Sequence, residues 1–208
     1  MMRVVVGLSG GSGAAYAQRL LEVLLQGGHE VHLIVTTAGL RVLRYEAGLE
    51  VEPDDLDSLV RVELREHLVT YGLDSVEAMP ASGSANIDAV VICPCSMGTL
   101  ARVAHGFSSN LLERAADVAL KEGRRLVVVP RETPLSVVHL RNMLALAEAG
   151  AVVLPAMPGF YHRPARVEDL VDFVVARILD RIGVEHELVR RWATPEPGGA
   201  CPWDEGEV

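Results

Sequence analysis

Residues 4–21, VVVGLSGGSGAAYAQRLL, constrain the fold of this chain more than any other stretch. A β-branched run ends at Gly7, the loop LSGGSG follows, and an Ala/Leu-rich segment with helical spacing begins. Strand, tight loop and helix in that order open an α/β sheet. Glycines let the loop take positive φ and approach a ligand closely, while the free N–H groups at the helix start carry the positive end of its dipole. Such a place suits a phosphate, and the hydroxyls of Ser9 and Ser12 add donors without adding charge. The dinucleotide pattern G-x-G-x-x-G fails here. Counted from Gly11, Tyr16 stands in place of the third glycine; counted from Gly7, Ser9 replaces the second. The next strand, residues 30–36, ends in Thr36 instead of the acidic residue that holds a ribose diol. No Gly-Lys-Ser/Thr closes the loop, which excludes a P-loop. A single phosphate, as in a mononucleotide such as FMN, fits this Ser/Gly loop best.

With 208 residues, half of them hydrophobic, the chain can bury the core of one α/β domain. We assign residues 1–183 to that domain and residues 184–208 to a C-terminal extension. No apolar run is long enough to span a bilayer, and the start passes into the first strand without a signal-peptide core, so a cytoplasmic location is expected. Cys93, Cys95 and Cys201 suggest neither a disulfide framework nor a zinc site. A net charge of −9 without a basic tract argues against nucleic acid and against an anionic membrane surface.

Along the chain, the first helix runs to Gln26, and Gly27 and Gly28 stop it. A second helix over residues 38–48 is opened by Thr36 or Thr37. Residues 54–67 read as a peripheral helix with Leu56, Leu59, Val60 and Leu64 inward. The small loop PASGS, residues 80–84, precedes a buried strand at 88–93 that Pro94 ends, and a helix starts within residues 95–99. An amphipathic helix at 111–121, a strand at 125–129, a helix at 135–149 and a strand at 151–154 follow. A loop at 158–164 then leads to a helix at 167–182. Five β-rich runs alternating with helices predict a single-domain, doubly wound parallel sheet of Rossmann or flavodoxin-like type, with helices on both faces. Ligands in such sheets bind beyond the carboxyl ends of the strands. That rule brings residues 9–13, Thr36, residues 95–99, Arg131, Glu132 and residues 160–163 to one edge, without any metal-ligand spacing. Glu132 beside Arg131 reads either as a tuned acid or base or as an N-cap ion pair for the helix from Leu135. Tyr161 and Arg163 either contact an anion or pack their loop. Arg114 and Lys121, at the edge of an apolar stripe, read on their own as snorkelling, solvated side chains.

The runs GLSGGSGAAYAQRLL, PASGS, VICPCSMGTL, LLERAADVALKE, VVVPRETPLS, LRNMLALAEAGAVVLPAMPGFYHRP and VEDLVDFVVARILD, in that order, closely resemble the flavin prenyltransferases of the UbiX type. The resemblance implies a metal-independent enzyme that joins the prenyl group of dimethylallyl monophosphate to N5 and then C6 of reduced FMN. Its product would be the prenylated FMN used by UbiD-type decarboxylases, and family members assemble as homododecamers with sites between subunits. Matching motifs implies flavin contacts at Gly10, Gly11, Ser12, Thr36, Ser96, Met97, Gly98, Thr99, Arg114 and Arg131. They imply that Lys121, Tyr161 and Arg177 hold the prenyl phosphate, with Ala81 and Ser82 at the donor site. Glu46 and Glu132 match the family's functional carboxylates, and Trp192 helps close the site. This chain has Gly11 where alanine is frequent, Thr36 where serine is common, and no aromatic within residues 76–79 where some members carry tryptophan. That last departure bears on whether the donor is a mono- or a diphosphate. Two rivals share the fold: an FMN-dependent decarboxylase of peptidyl-cysteine or phosphopantothenoylcysteine type, needing an early catalytic histidine and a Pro/Met/Asn substrate loop, where His29 and His32 lie at or inside the second strand and no such loop is visible, and a flavin-storage or subunit-assembly protein, which would not need Lys121, Arg177 and Glu132 together.

Overall fold

The computed structural model describes residues 1–189. Six parallel strands form one sheet: β1 (Arg3–Leu8), β2 (Glu30–Val35), β3 (Leu68–Tyr71), β4 (Ala89–Cys95), β5 (Arg125–Pro130) and β6 (Val152–Val153), in the order β3-β2-β1-β4-β5-β6. Strands at the centre of such a sheet are covered on both faces and so read as continuous apolar runs. Val4 and Val6 of β1 face one core with Val31, Leu33 and Val35 of β2, and Val5 faces the other with Ile34, Val90 and Ile92. Helices α1 (Ala14–Gln26), α2 (Thr37–Ala47) and α6 (Val167–Ile182) cover the first face. Helices α3 (Met97–Ala104), α4 (Leu111–Lys121) and α5 (Val137–Glu148) cover the second. The chain leaves β1 toward β2 on one side and returns to β4 on the other, so the order reverses between β1 and β4. A crevice opens there, at the carboxyl ends. Among the described residues no helix is long and apolar enough to cross a membrane.

Four expectations need correction. The sheet has six strands, because Leu68–Tyr71 pairs in parallel with β2. The helix expected at 54–67 is two short 3₁₀ segments, Leu56–Leu59 and Val62–His67, interrupted at Val60 and Arg61. The bonds in this stretch close three residues back, from Ser58 N–H to the Asp55 carbonyl and from Leu64 N–H to the Arg61 carbonyl. Strand β4 continues through Pro94 to Cys95, with an irregular register against β5 between Ile92 and Cys95. Helix α5 begins at Val137 and not at Leu135, because Ser136 caps it: its hydroxyl accepts from His139 N–H at 3.2 Å.

The edge strand β3 is pinned by a buried histidine. His32 of β2 is fully buried, with Nε2 at 2.9 Å from the Glu30 carboxylate and Nδ1 at 2.9 Å from the Tyr71 hydroxyl. The neutral tautomer protonated at Nε2 satisfies both contacts, donating to Glu30 and accepting from Tyr71. Burial pushes the His32 pKa below its ordinary 6.5 despite the pull of Glu30. With the folded value depressed, neutral His32 contributes fully above pH 6.5, and that contribution is lost as pH falls toward the folded value. Replacing Tyr71 by Phe leaves Nδ1 buried and unpaired. It should lower the urea-unfolding free energy at pH 7.5 by about 1–2 kcal/mol, and an unchanged midpoint would show that the bond carries nothing.

Candidate active site

The crevice is organised by Ser9, at the end of β1. Its N–H donates to the Pro94 carbonyl at 3.1 Å, its hydroxyl donates to the same carbonyl at 3.2 Å, and it accepts from Ser96 N–H at 2.7 Å. Ser9 is 1% exposed. Its hydroxyl is therefore spent on joining β1 to the end of β4, and the expectation that it serves a phosphate is corrected. The glycines beside it lie close against neighbouring elements, Gly10 too close for a side chain. A Cβ on Gly10 would lie 2.7 Å from Cβ of Ala38, and one on Gly11 would lie 3.3 Å from the Cys95 carbonyl. Gly13 has φ 127°, which favours glycine, and its position lies against the Tyr16 ring.

Three helices start on this edge, and their caps differ. Helix α1 begins at a carboxylate: Glu46 Oε2 accepts from Gly13 N–H and Ala14 N–H, both at 2.8 Å. Burial pushes the Glu46 carboxyl up, but bonds from the Ser12 hydroxyl and those two N–H groups, with the nearby Arg131 charge, hold it below its ordinary value. A carboxylate thus sits where the sequence placed an anion. Helices α2 and α3 begin at neutral caps: Thr36 Oγ1 accepts from Gly39 N–H at 3.0 Å, and Ser96 Oγ from Thr99 N–H at 3.2 Å. Their dipoles remain uncompensated by charge. In α3 the Leu100 N–H goes to the Ser96 carbonyl, leaving the N–H groups of Met97 and Gly98 for a ligand. The side chains of Met97 and Thr99 turn inward, Met97 into the second core and Thr99 onto Ser96 Oγ at 3.1 Å. A single phosphate suits these two neutral helix starts, and Arg131 supplies a positive charge whose field reaches Glu46 and Tyr16. The residues present therefore fit a flavin mononucleotide.

Beside Arg131, a 260 Å³ cavity is lined by Arg131, Glu132, Thr133, Pro155 and Met157. Glu132 is exposed and accepts from Thr133 N–H at 3.1 Å. Since Ser136 caps α5, the ion-pair cap reading of Glu132 falls away. Pro155 and Met157 also line a 320 Å³ groove along β6, with Phe173 and Arg177 of α6. Tyr161 packs edge-on against Phe173, ring centroids 5.7 Å apart. The chain so brings Arg131, Glu132, Tyr161 and Arg177 along one continuous surface.

Lys121, Arg114, Ala81 and Ser82 are not on that surface. Leu112 of α4 packs over Gly7 near the carboxyl end of β1, and Lys121 lies nine residues further along α4. That is about 13 Å toward the opposite edge. Arg114, in the first turn of α4, donates from Nε to the Ala81 carbonyl at 3.3 Å, while at the far end of the helix Lys121 Nζ is 2.8 Å from where a Cβ on Gly83 would sit. These residues form a second basic cluster around the 81–84 loop. Trp192 lies outside the described residues. Tyr16 was not among the expected site residues; its half-buried hydroxyl has a pKa raised by burial, and its only sequence signal is its place where a third glycine would stand.

A family model described as Flavoprotein matches residues 1–179. The chain is 50% identical over 191 residues to a flavin prenyltransferase UbiX of Halalkalibacterium halodurans, covering 90% of this chain and 91% of that one. The chain belongs to the UbiX family of flavin prenyltransferases. Among solved structures, AnUbiX (PadA1) in complex with FMN and dimethylallyl pyrophosphate is similar at a TM-score of 0.83 and 37% identity, over 94% of this chain and 99% of that one. A dodecameric FMN-dependent UbiX-like decarboxylase from Escherichia coli O157:H7 is similar at 0.82 and 40% identity, over 92% and 99%.

In this UbiX-family chain, Glu46 links α2 to the start of α1, and its sign can be tested. Its folded pKa is depressed, so its stabilisation is present above the unfolded value of 4.5 and is lost as pH falls through the folded value. Because Glu46 is exposed, Glu46→Gln should cost only roughly 0.5–1 kcal/mol at pH 7. Thermal unfolding should then show the gap to the parent narrowing below pH 4.5; parallel curves would contradict the assignment.

Proposed function

We propose that this chain transfers the dimethylallyl group of dimethylallyl monophosphate to reduced FMN, making bonds at N5 and C6 and releasing phosphate. The observation that carries this reading is the continuous surface from Arg131 and Glu132 through Pro155 and Met157 to Phe173 and Arg177. It sets a carboxylate and a guanidinium beside the flavin crevice. Reduced FMN, when bound, supplies the two nucleophilic ring positions. Lys121, Arg177 and Tyr161 hold the phosphate and meet the charge that grows on it as the allylic C–O bond breaks with its electron pair on oxygen. The Tyr161 ring stabilises the allyl cation through its quadrupole. Glu132 would take up the proton released at N5 as the first bond forms and relay it to the departing phosphate; closing the ring at C6 would then consume the prenyl double bond, which gains a proton as the C6 proton is lost, so this second bond needs no further leaving group. Charge is met by Lys and Arg, so the reaction runs without a metal. The family resemblance assigns Trp192 to closing the site, and the prenylated FMN passes to a UbiD-type decarboxylase.

The working unit is a homo-oligomer, a dodecamer as the Escherichia coli relative is described. In support, Lys121 and Glu132 of one chain stand at opposite edges of the sheet, so a site that needs both takes them from two copies. Anaerobic incubation with reduced FMN and dimethylallyl monophosphate should yield a flavin heavier by one prenyl group, with or without a chelator. Unchanged FMN with both the mono- and the diphosphate would leave a storage role. Lys121→Ala and Glu132→Gln should each lower kcat by about 100-fold or more while FMN still binds. Co-assembled from equal amounts, the two inactive variants should regain on the order of a quarter of parent activity, since one site in four then draws both residues from unmutated positions. No recovery would place the whole site within one chain.

A further inference from the structure

The turn before α6 contains two unusual features in four residues. Arg163 N–H donates to the Phe160 carbonyl at 2.9 Å, and Arg163 holds φ at 53°, the one non-glycine residue at positive φ among the described residues. Inside this turn the His162 ring lies flat on Phe173, with centroids 5.3 Å apart and planes 12° from parallel, and meets Tyr161 edge-on at 5.8 Å. Both ring nitrogens are shut from solvent and neither has a hydrogen-bond partner. Among the described residues, no other buried side-chain nitrogen or oxygen is so left. An imidazole always carries at least one N–H donor, and buried donors are nearly always satisfied. A ring that only packed against Phe173 and Tyr161 would be better made of carbon. Phe173 lies one helical turn before Arg177, and both line the 320 Å³ groove, so the orphaned imidazole lies against the wall of the groove where the donor phosphate was placed.

We propose that His162 is a further ligand of the donor phosphate. As the phosphate settles beside Arg177 and Tyr161, the 160–163 turn relaxes, and the imidazole gives up its seat on Phe173 for N–H donation to a phosphate oxygen. The backbone at Arg163 and the unpaired ring are both relieved by the same ligand, which is how strained turns at binding sites are used. His162 makes and breaks no substrate bond; it binds and orients. The inference rests on the phosphate site proposed above.

His162→Phe keeps the ring's shape and its stack but removes both nitrogens. Without ligand, this variant should melt at or above the parent temperature and bind FMN as the parent does. Its KM for dimethylallyl monophosphate should rise about tenfold or more, with a smaller change in kcat. His162→Asn, which restores N–H donation through its amide, should recover part of the KM. An unchanged KM in His162→Phe would overturn the proposal. If the parent makes no prenylated flavin, the prenyl-transfer reading fails separately. Inorganic phosphate added to the ¹⁵N-histidine-labelled parent then decides for His162, a shift of its ring nitrogens supporting the contact and no shift refuting it.

Discussion

The Ser9 hydroxyl, shared between the Pro94 carbonyl and Ser96 N–H, ties the ends of β1 and β4 together where the strand order reverses. The tie works only because nothing stands between the elements it joins. Gly7 makes room for Leu112 of α4, a Cβ on Gly39 would lie 2.7 Å from the Leu8 carbonyl, Gly10 leaves no space for a side chain, and Gly11 lies tight against the Cys95 carbonyl. Removing a buried partner from such a bond typically costs about 1–3 kcal/mol, and here the loss would fall on the wall of the crevice itself. The same closeness brings three helix starts to one edge. Because α1 is already closed by Glu46, an incoming anion is directed to the neutral starts of α2 and α3.

Three of the cations assigned to the flavin or to the donor phosphate are each paired with a neighbouring carboxylate. Lys121 pairs with Glu122, Arg114 with Asp117 at 2.8 Å, and Arg177 with Asp180 at 3.2 Å. Lys121 and Arg177 keep nearly half of their side-chain surface in water, and Arg114 more than a third. Exposed pairs of this kind are worth about 0–1 kcal/mol. They hold long side chains near the site at little cost and exchange readily for a phosphate, whose charge and bidentate geometry make a stronger partner. Buried ion pairs at these positions would have to be broken before every turnover.

How much of this could be read from the chain depended on whether the signal was local. The strand–loop–helix at the start, the carboxyl-edge rule and the helix starts at Thr36 or Thr37 and within residues 95–99 are matters of spacing and residue type within a few positions; the structure has both starts, and makes Thr36 and Ser96 the caps. Strand β3 was missed because four residues, LVTY, carry too short an alternation, and its anchor, the His32–Tyr71 bond, joins residues 39 apart. The role of Ser9 was misread for a similar reason: a serine in a glycine loop looks like a ligand donor until Pro94 and Ser96 are brought against it from another strand. The division between Glu132 and Lys121 was invisible because helical spacing says which face a residue occupies but not which edge of the sheet it reaches. Cys93 and Cys95, adjacent in sequence to a site, proved to be fully buried thiols whose pKa values burial drives upward, to about 12 for Cys95, which leaves them without nucleophilic character.

Aromatic residues make up only 4% of the chain, so their placement carries information. Residues 76–79, where the family resemblance suggested a tryptophan, follow a turn in which Ser75 N–H bonds the Gly72 carbonyl; Val76 is 51% exposed, while Ala78 and Met79 pack against the second core. Residues 76–79 supply no aromatic ring to a prenyl group. The rings of Tyr161, His162 and Phe173 instead stand together at the far side of the groove, mutually packed and next to Arg177. A prenyl chain bound against one aromatic wall is held by its phosphate end more than by its tail. The number and placement of N–H and cationic groups around that phosphate therefore govern which donor this chain accepts, and small changes at residues 160–163 should alter donor choice more than changes at 76–79.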